Sequence, residues 1–131
     1  MKVRTTLAAA ALTAMAAGSL ALAPAASAKG LVTQASGSCP SATWKLKAKQ
    51  DNARIEVSFE VDSNVAGQTW RVSLRDNRVL VYSGVHRTTA PSGSFEVSRL
   101  IANRAGSDVI GAVATNTRTG ATCRGTLTFR G

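Results

Sequence analysis

From Thr122 to Arg130 the chain alternates without interruption. Cys123, Gly125, Leu127 and Phe129 fall on one side, and Thr122, Arg124, Thr126, Thr128 and Arg130 on the other. A backbone that reverses its side chains at every residue is a β-strand, and a single apolar side means that the strand is half buried. The same period of two recurs upstream. Trp44, Leu46 and Ala48 alternate with Lys45, Lys47 and Lys49, and Ile55, Val57, Phe59 and Val61 with Arg54, Glu56, Ser58 and Glu60. Trp70, Val72 and Leu74 then alternate with Thr69, Arg71, Ser73 and Arg75. The run from Arg78 to Val85 is apolar on both sides, Val79 and Val81 against Leu80 and Tyr82, so its pattern does not orient it. Phe95 and Val97 alternate with Glu96 and Ser98 until Leu100 and Ile101 blur the phase, which suggests a bulge or a strand ending near Ser98. No segment after the first 28 residues has a helical period. About seven strands, with turn residues at intervals of roughly eight to twelve, describe an all-β fold, an antiparallel β-sandwich.

The beginning of the chain follows a different rule. Lys2 and Arg4 precede an apolar run from Leu7 to Leu22, and Ala26, Ser27 and Ala28 make an A-x-A cleavage site. Together these are the parts of a secretory signal peptide, residues 1–28. The run is Ala-rich, contains Gly18, is short for a span of roughly 20 residues and has no basic cluster behind it, so a stable membrane anchor is not expected. No cysteine follows the cleavage site to take a lipid. The expected product is secreted and extracellular. Cleavage after Ala28 leaves 103 of the 131 residues, enough for one domain and one core. Within it, 29–41 reads as a flexible leader and 42–131 as the sandwich domain.

Cys39 and Cys123 are the two cysteines of the chain. In an exported protein such a pair is expected to form a disulfide, and the alternation around Cys123 points its sulfur at the core. Closing that loop would remove denatured-state entropy worth roughly 4 to 5 kcal/mol in the chain-entropy model. A metal site is not expected, since both cysteines and the single histidine, His86, lie far apart in sequence.

Ile110, Ala112, Ala114 and Asn116, followed by Gly120 and the strand to Phe129, resemble the F to G hairpin of immunoglobulin-like and fibronectin type III-like domains. Those families place an aromatic-x-apolar-x-Ala-x-Asn strand before a Gly-containing turn. The resemblance implies an immunoglobulin-like sandwich, and it selects Ile110, Ala112 and Ala114 as the buried side of their strand over Val109, Gly111 and Val113. Ile110 stands where those families usually place a tyrosine, and Ala112 where a true immunoglobulin domain has its inter-sheet cysteine. Taken whole, the chain also resembles the small exported β-domain proteins of high-GC actinobacteria. The enediyne-antibiotic apoproteins, similar in size and fold, carry chromophores in a cleft and usually have two disulfides where this chain allows one.

Export would remove two of the 16 basic residues, leaving 14 against 7 acidic ones, a net charge of about +7. Lysines 45, 47 and 49 would meet Glu56 and Glu60 across a hairpin, which makes one face mixed. Divided as in an immunoglobulin-like sandwich, the other sheet would expose Arg71, Arg75, Arg78, Arg124 and Arg130, with Val109, Val113 and Tyr82 among them and Asp76 nearby. Arg71, Arg75, Tyr82, Val113 and Arg124 are the expected binding residues, for an anionic cell-wall polymer or an acidic protein. The plainer reading of the same arginines is that they keep an outer sheet wet and block edge pairing. Nucleic acid is not an expected partner, because aromatic residues are few.

Chemistry has little to work with. Ser83, His86 and Asp108 could be imagined as a triad, but no nucleophile-elbow pattern is present, and Glu56 and Glu60 are explained by the facing lysines. Gly-rich phosphate loops are absent, so no enzyme, catalytic residue or cofactor is expected. The competing expectation is a carrier of small molecules, which needs a cleft between the sheets, or a hydrolase inhibitor presenting the segment His86 to Gly93.

Overall fold

The structure, a computed structural model, describes residues 30–131; the expected signal peptide lies outside the described residues. Eight strands form: β1 (Val32–Cys39), β2 (Ala42–Asp51), β3 (Arg54–Asp62), β4 (Thr69–Asp76), β5 (Val79–Arg87), β6 (Ser94–Ala102), β7 (Asp108–Asn116) and β8 (Thr122–Phe129). They make two antiparallel four-stranded sheets, ordered β1-β2-β3-β6 and β5-β4-β7-β8, and the two apolar faces pack as a sandwich. Leu46, Ile55, Val57, Phe59 and Val61 of the first sheet meet Trp70, Val72, Leu74, Ile110 and Phe129 of the second, all essentially without solvent exposure. The parity of β7 is the expected one: Ile110, Ala112 and Ala114 are buried and Val109 is exposed.

One more strand forms than the alternation suggests. Residues 32–39, expected as a leader, are β1, paired with β2 from Val32 opposite Lys49 to Cys39 opposite Ala42. Thr33, Ala35, Gly37 and Cys39 turn inward but stay half buried, so β1 lacks the strong apolar side that marks the other strands. A second difference concerns β6. It runs to Ala102 without a register shift, with Arg99 in the inward position opposite Val57 and Leu100 pointing out opposite Glu56. No bulge is needed there, because an arginine occupies a core-side position at the sheet edge. The bulge lies instead between β4 and β5, where Leu74 pairs with Tyr82 and Arg75 with Leu80, leaving Val81 as the extra residue. Its presence switches the inward side halfway along β5, and that is why this strand reads as apolar on both faces.

The hairpin turns follow from local chemistry. Asn77 and Arg78 both have positive φ, 49° and 72°, the two-residue turn whose twist matches the flanking strands. After β7, the Asn116 side-chain oxygen accepts from the backbone amides of Arg118 and Thr119 at 2.9 and 3.2 Å, and Gly120 completes the reversal at φ 76°.

Cys39 and Cys123 are bonded, with Cα atoms 5.1 Å apart, so the disulfide joins the edge strand of one sheet to the facing edge strand of the other. Trp44 fills the space beside it. A Cβ at Gly37 would lie 2.8 Å from its ring and one at Gly125 2.5 Å, so the indole needs both glycines. Gly125→Ala is therefore expected to destabilise the fold by about 1–3 kcal/mol. Gly111→Ala, where a Cβ meets nothing within 4 Å, should be neutral or slightly stabilising. Urea midpoints of the two variants check this, and equal losses would remove the special role of Gly125.

Candidate binding surface

In an antiparallel pair, residues directly opposite share a face. Starting from exposed Arg71, the register places Val85 and Thr115 beside it on the outer side of the second sheet. Ser73 lies between Ser83 and Val113, Val113 is opposite Arg124, and Thr69 is opposite Arg87. The outer face thus carries four exposed arginines, Arg71, Arg75, Arg87 and Arg124, among serine, threonine, glycine and valine, with exposed Leu80 opposite Arg75. Arg71 and Arg75 are four residues apart on one strand, so their Cα atoms stand about 13 Å apart. Arg75 is steadied by Nη1 donating to Ser73 Oγ at 3.4 Å.

Among the described residues, the outward positions of this sheet hold no carboxylate. Both of its acids, Asp76 on β4 and Asp108 on β7, turn inward and are 1% and 0% exposed. Burial, followed by a hydrogen bond to Asp108 and that group's charge, pushes the Asp76 pKa up to about 6, while Arg104 acts in the opposite direction. The acid expected beside the arginines is thereby withdrawn from them, and the face is left purely cationic.

Of the expected binding residues, the structure brings Arg71, Arg75, Val113 and Arg124 onto this face and takes Tyr82 off it. Tyr82 pairs with buried Leu74 and so points inward at the sandwich edge, where β5 faces β6. Its hydroxyl shares a 2.6 Å hydrogen bond with His86 Nε2, and the Arg99 guanidinium lies 4.4 Å from its ring centroid. His86 in turn stacks on Phe95 at 5.6 Å, and Phe95 packs against Trp70 at 6.3 Å. A Cβ at Gly84 would come within 2.2 Å of the Tyr82 hydroxyl, so glycine is what lets the phenol reach along its own strand to the imidazole. Arg87 is the outward arginine that pattern reading missed, because β5 has no legible parity. Its partner Thr69, whose side was legible, is the signal that would have found it, given the register.

The other expectations divide. Ser83 and His86 point to opposite faces of β5, and Asp108 is buried on β7, so the imagined triad is not assembled. The segment from His86 to Gly93 is not a free loop. His86 and Arg87 belong to β5, and buried Thr88 donates to the Val65 carbonyl at 2.6 Å while accepting from the Gln68 amide at 2.9 Å. Aliphatic and aromatic side chains fill the space between the sheets where a carrier would need its cleft.

No family model matches the chain, and no curated protein does. A solved structure titled as the Br derivative of BhCBM56 is similar at a TM-score of 0.43 and 20% identity, over 73% of this chain and 98% of that one. A likeness at that distance carries no residue across.

His86, the single histidine, supplies a direct probe of the edge cluster. Desolvation, and then the Arg99 charge, hold its pKa below the ordinary 6.5. The folded ring binds its proton less readily than the unfolded one, so this contribution to stability is present above pH 6.5 and is lost as pH falls through the folded pKa. Proton NMR should show the imidazole titrating below 6.5, and Arg99→Gln should move the midpoint upward. An unchanged midpoint in that variant would detach Arg99 from His86.

Proposed function

We propose that this chain is a non-catalytic binding module of the cell exterior, which docks an anionic polymer on the outer face of β5-β4-β7-β8. The observation that carries this reading is the one-signed face: Arg71, Arg75, Arg87 and Arg124 point outward while both acids of the sheet point in. Guanidinium groups present forked donors that suit carboxylate and phosphate oxygens, and the threonines between them add neutral donors and acceptors. Cations spaced along an open sheet face suit a repeating chain better than a compact ligand. An acidic protein is the second occupant of the same chemistry.

The Cys39–Cys123 bridge supports an oxidising compartment, in keeping with the export signal read from residues 1–28. The sheet order, β5-β4-β7-β8 opposite β2-β3-β6 with β1 added at the margin, supports the immunoglobulin-like resemblance of the last hairpin. The first sheet is a poorer candidate, since Lys45 faces Glu60 and Lys49 faces Glu56 across β2 and β3, which keeps that surface mixed.

Replacing Arg71, Arg75 and Arg124 together by glutamate should lower retention on isolated cell walls by about tenfold or more at low salt. Raised salt should release the unmodified protein, because exposed ion pairs are screened within about 10 Å at 0.1 M. Retention that ignores both the substitutions and the salt would end this reading.

A further inference from the structure

Where β7 turns into β8, the arginine face ends on a hollow of about 490 Å³, within the ~300–1,000 Å³ range of small-ligand pockets. Thr69, at the end of that face, and exposed Thr117 lead into it, and Arg118 lines it. The Arg87 guanidinium reaches its rim, since a Cβ added at Gly67 would stand 3.4 Å from Nη2. Among the described residues no carboxylate lines the hollow. Its deepest lining residue is Asn116, 4% exposed.

The β7–β8 turn uses every hydrogen-bonding group of Asn116 except one. The backbone amide donates to the Ala121 carbonyl at 2.8 Å, the carbonyl accepts from Gly120 at 2.8 Å, and Oδ1 accepts from the Arg118 and Thr119 amides. Nδ2 has no hydrogen-bond partner among the described residues, and it is not sealed from solvent, so the hollow is where it opens. Gln68, also in the lining, repeats the pattern. Thr88 fixes its backbone from both sides, with Oγ1 accepting from the Gln68 amide and the Thr88 amide donating to the Gln68 carbonyl, each at 2.9 Å. The Trp70 indole donates to Gln68 Oε1 at 3.3 Å, which leaves Nε2 without a partner among the described residues. Backbone amides and an indole can only donate, so both side-chain orientations are settled with the NH2 groups free.

We infer that this hollow binds the carboxylate of a sugar-acid unit, with Asn116 Nδ2 and Gln68 Nε2 donating to its oxygens and Arg118 and Arg87 balancing its charge from the rim. That the unit belongs to a polymer rests on the function proposed above; the hollow's own chemistry does not. A carboxylate accepts in one plane through two oxygens, which neutral amides and a forked guanidinium satisfy. A phosphate brings up to a second charge, and no buried cation lines the hollow to meet it. The Thr117 and Thr119 side chains in the lining suit the hydroxyls of the sugar ring.

Nitrogen-15 NMR of the Asn116 and Gln68 side-chain amides in the oxidised protein, titrated with sodium glucuronate, glucose and sodium phosphate at 0.15 M salt, tests this. Glucuronate is expected to shift both signals with a millimolar Kd, and glucose and phosphate to bind at least about tenfold more weakly. Asn116→Asp keeps the oxygen that caps the turn and exchanges the donor for an acceptor, and Gln68→Glu does the same beside Trp70. Each variant, checked for cooperative unfolding, should weaken glucuronate binding about tenfold or more. Arg118→Gln, at an exposed position, should weaken it several-fold. The triple glutamate variant of Arg71, Arg75 and Arg124 should bind glucuronate nearly as before, because at this salt its distant charges are screened. The inference falls if glucuronate leaves both signals in place, if phosphate or glucose shifts them as strongly, or if the folded Asn116→Asp and Gln68→Glu variants bind glucuronate as well as the unmodified protein. Glucuronate binding that persists while the triple variant keeps its wall retention upholds this site and removes only the docking face, so the two failures are told apart.

Discussion

Every feature of this protein depends on two sheets burying one face each against the other. In a strand, adjacent side chains point to opposite sides, so closing the sandwich sorts each residue into an inside or an outside set. The inside of the second sheet takes Trp70, Val72, Leu74, Ile110 and Phe129, and with them Asp76 and Asp108. The outside takes the arginines. A one-signed surface and a buried acid pair are thus two products of a single sorting, and shifting β4 by one residue would turn Asp76 out and Arg71 and Arg75 in.

A sandwich has two open flanks, and this one closes them by different means. On the β1–β8 side the Cys39–Cys123 bond ties the sheets covalently, and the Trp44 ring covers the gap over Gly37 and Gly125. On the β5–β6 side no covalent link exists among the described residues, and the closure is built from Tyr82, His86, Phe95 and Arg99. Arg99 occupies an inward position there at tolerable cost because it lies at an edge, where its charge stays in reach of water and its guanidinium rests on an aromatic face. The polar flank is the softer of the two, since its contacts respond to protonation and the disulfide does not.

Much of the fold was legible in advance because alternation is a local property. Strands β2, β3, β4 and β8 each carry an unbroken apolar side, and a strand needs no knowledge of its neighbours to display one. The last hairpin was legible in more detail, with Ile110, Ala112 and Ala114 inside and Asn116 beginning the turn. β1 escaped notice because its inward residues are a threonine, an alanine, a glycine and a cysteine, too small to read as a core face. Four of the five residues expected to bind fell together on one surface; Tyr82 did not, because the extra residue Val81 reverses the sides of β5 and no local pattern records a bulge.

By itself, then, the amino-acid order determined that the chain is all-β and which strands carry a buried side. It also singled out the two sulfurs that join. Only the tertiary structure decided which way β5 faces and that residues 32–39 complete a sheet. It alone set Arg87 beside Arg71, and turned Asp76 and Asp108 inward toward each other and Asn103. The physical reason is one of range. Side-chain alternation is set within a few residues, whereas register, bulges and the meeting of carboxylates from strands about 30 positions apart exist only once the pairing of distant segments has been chosen.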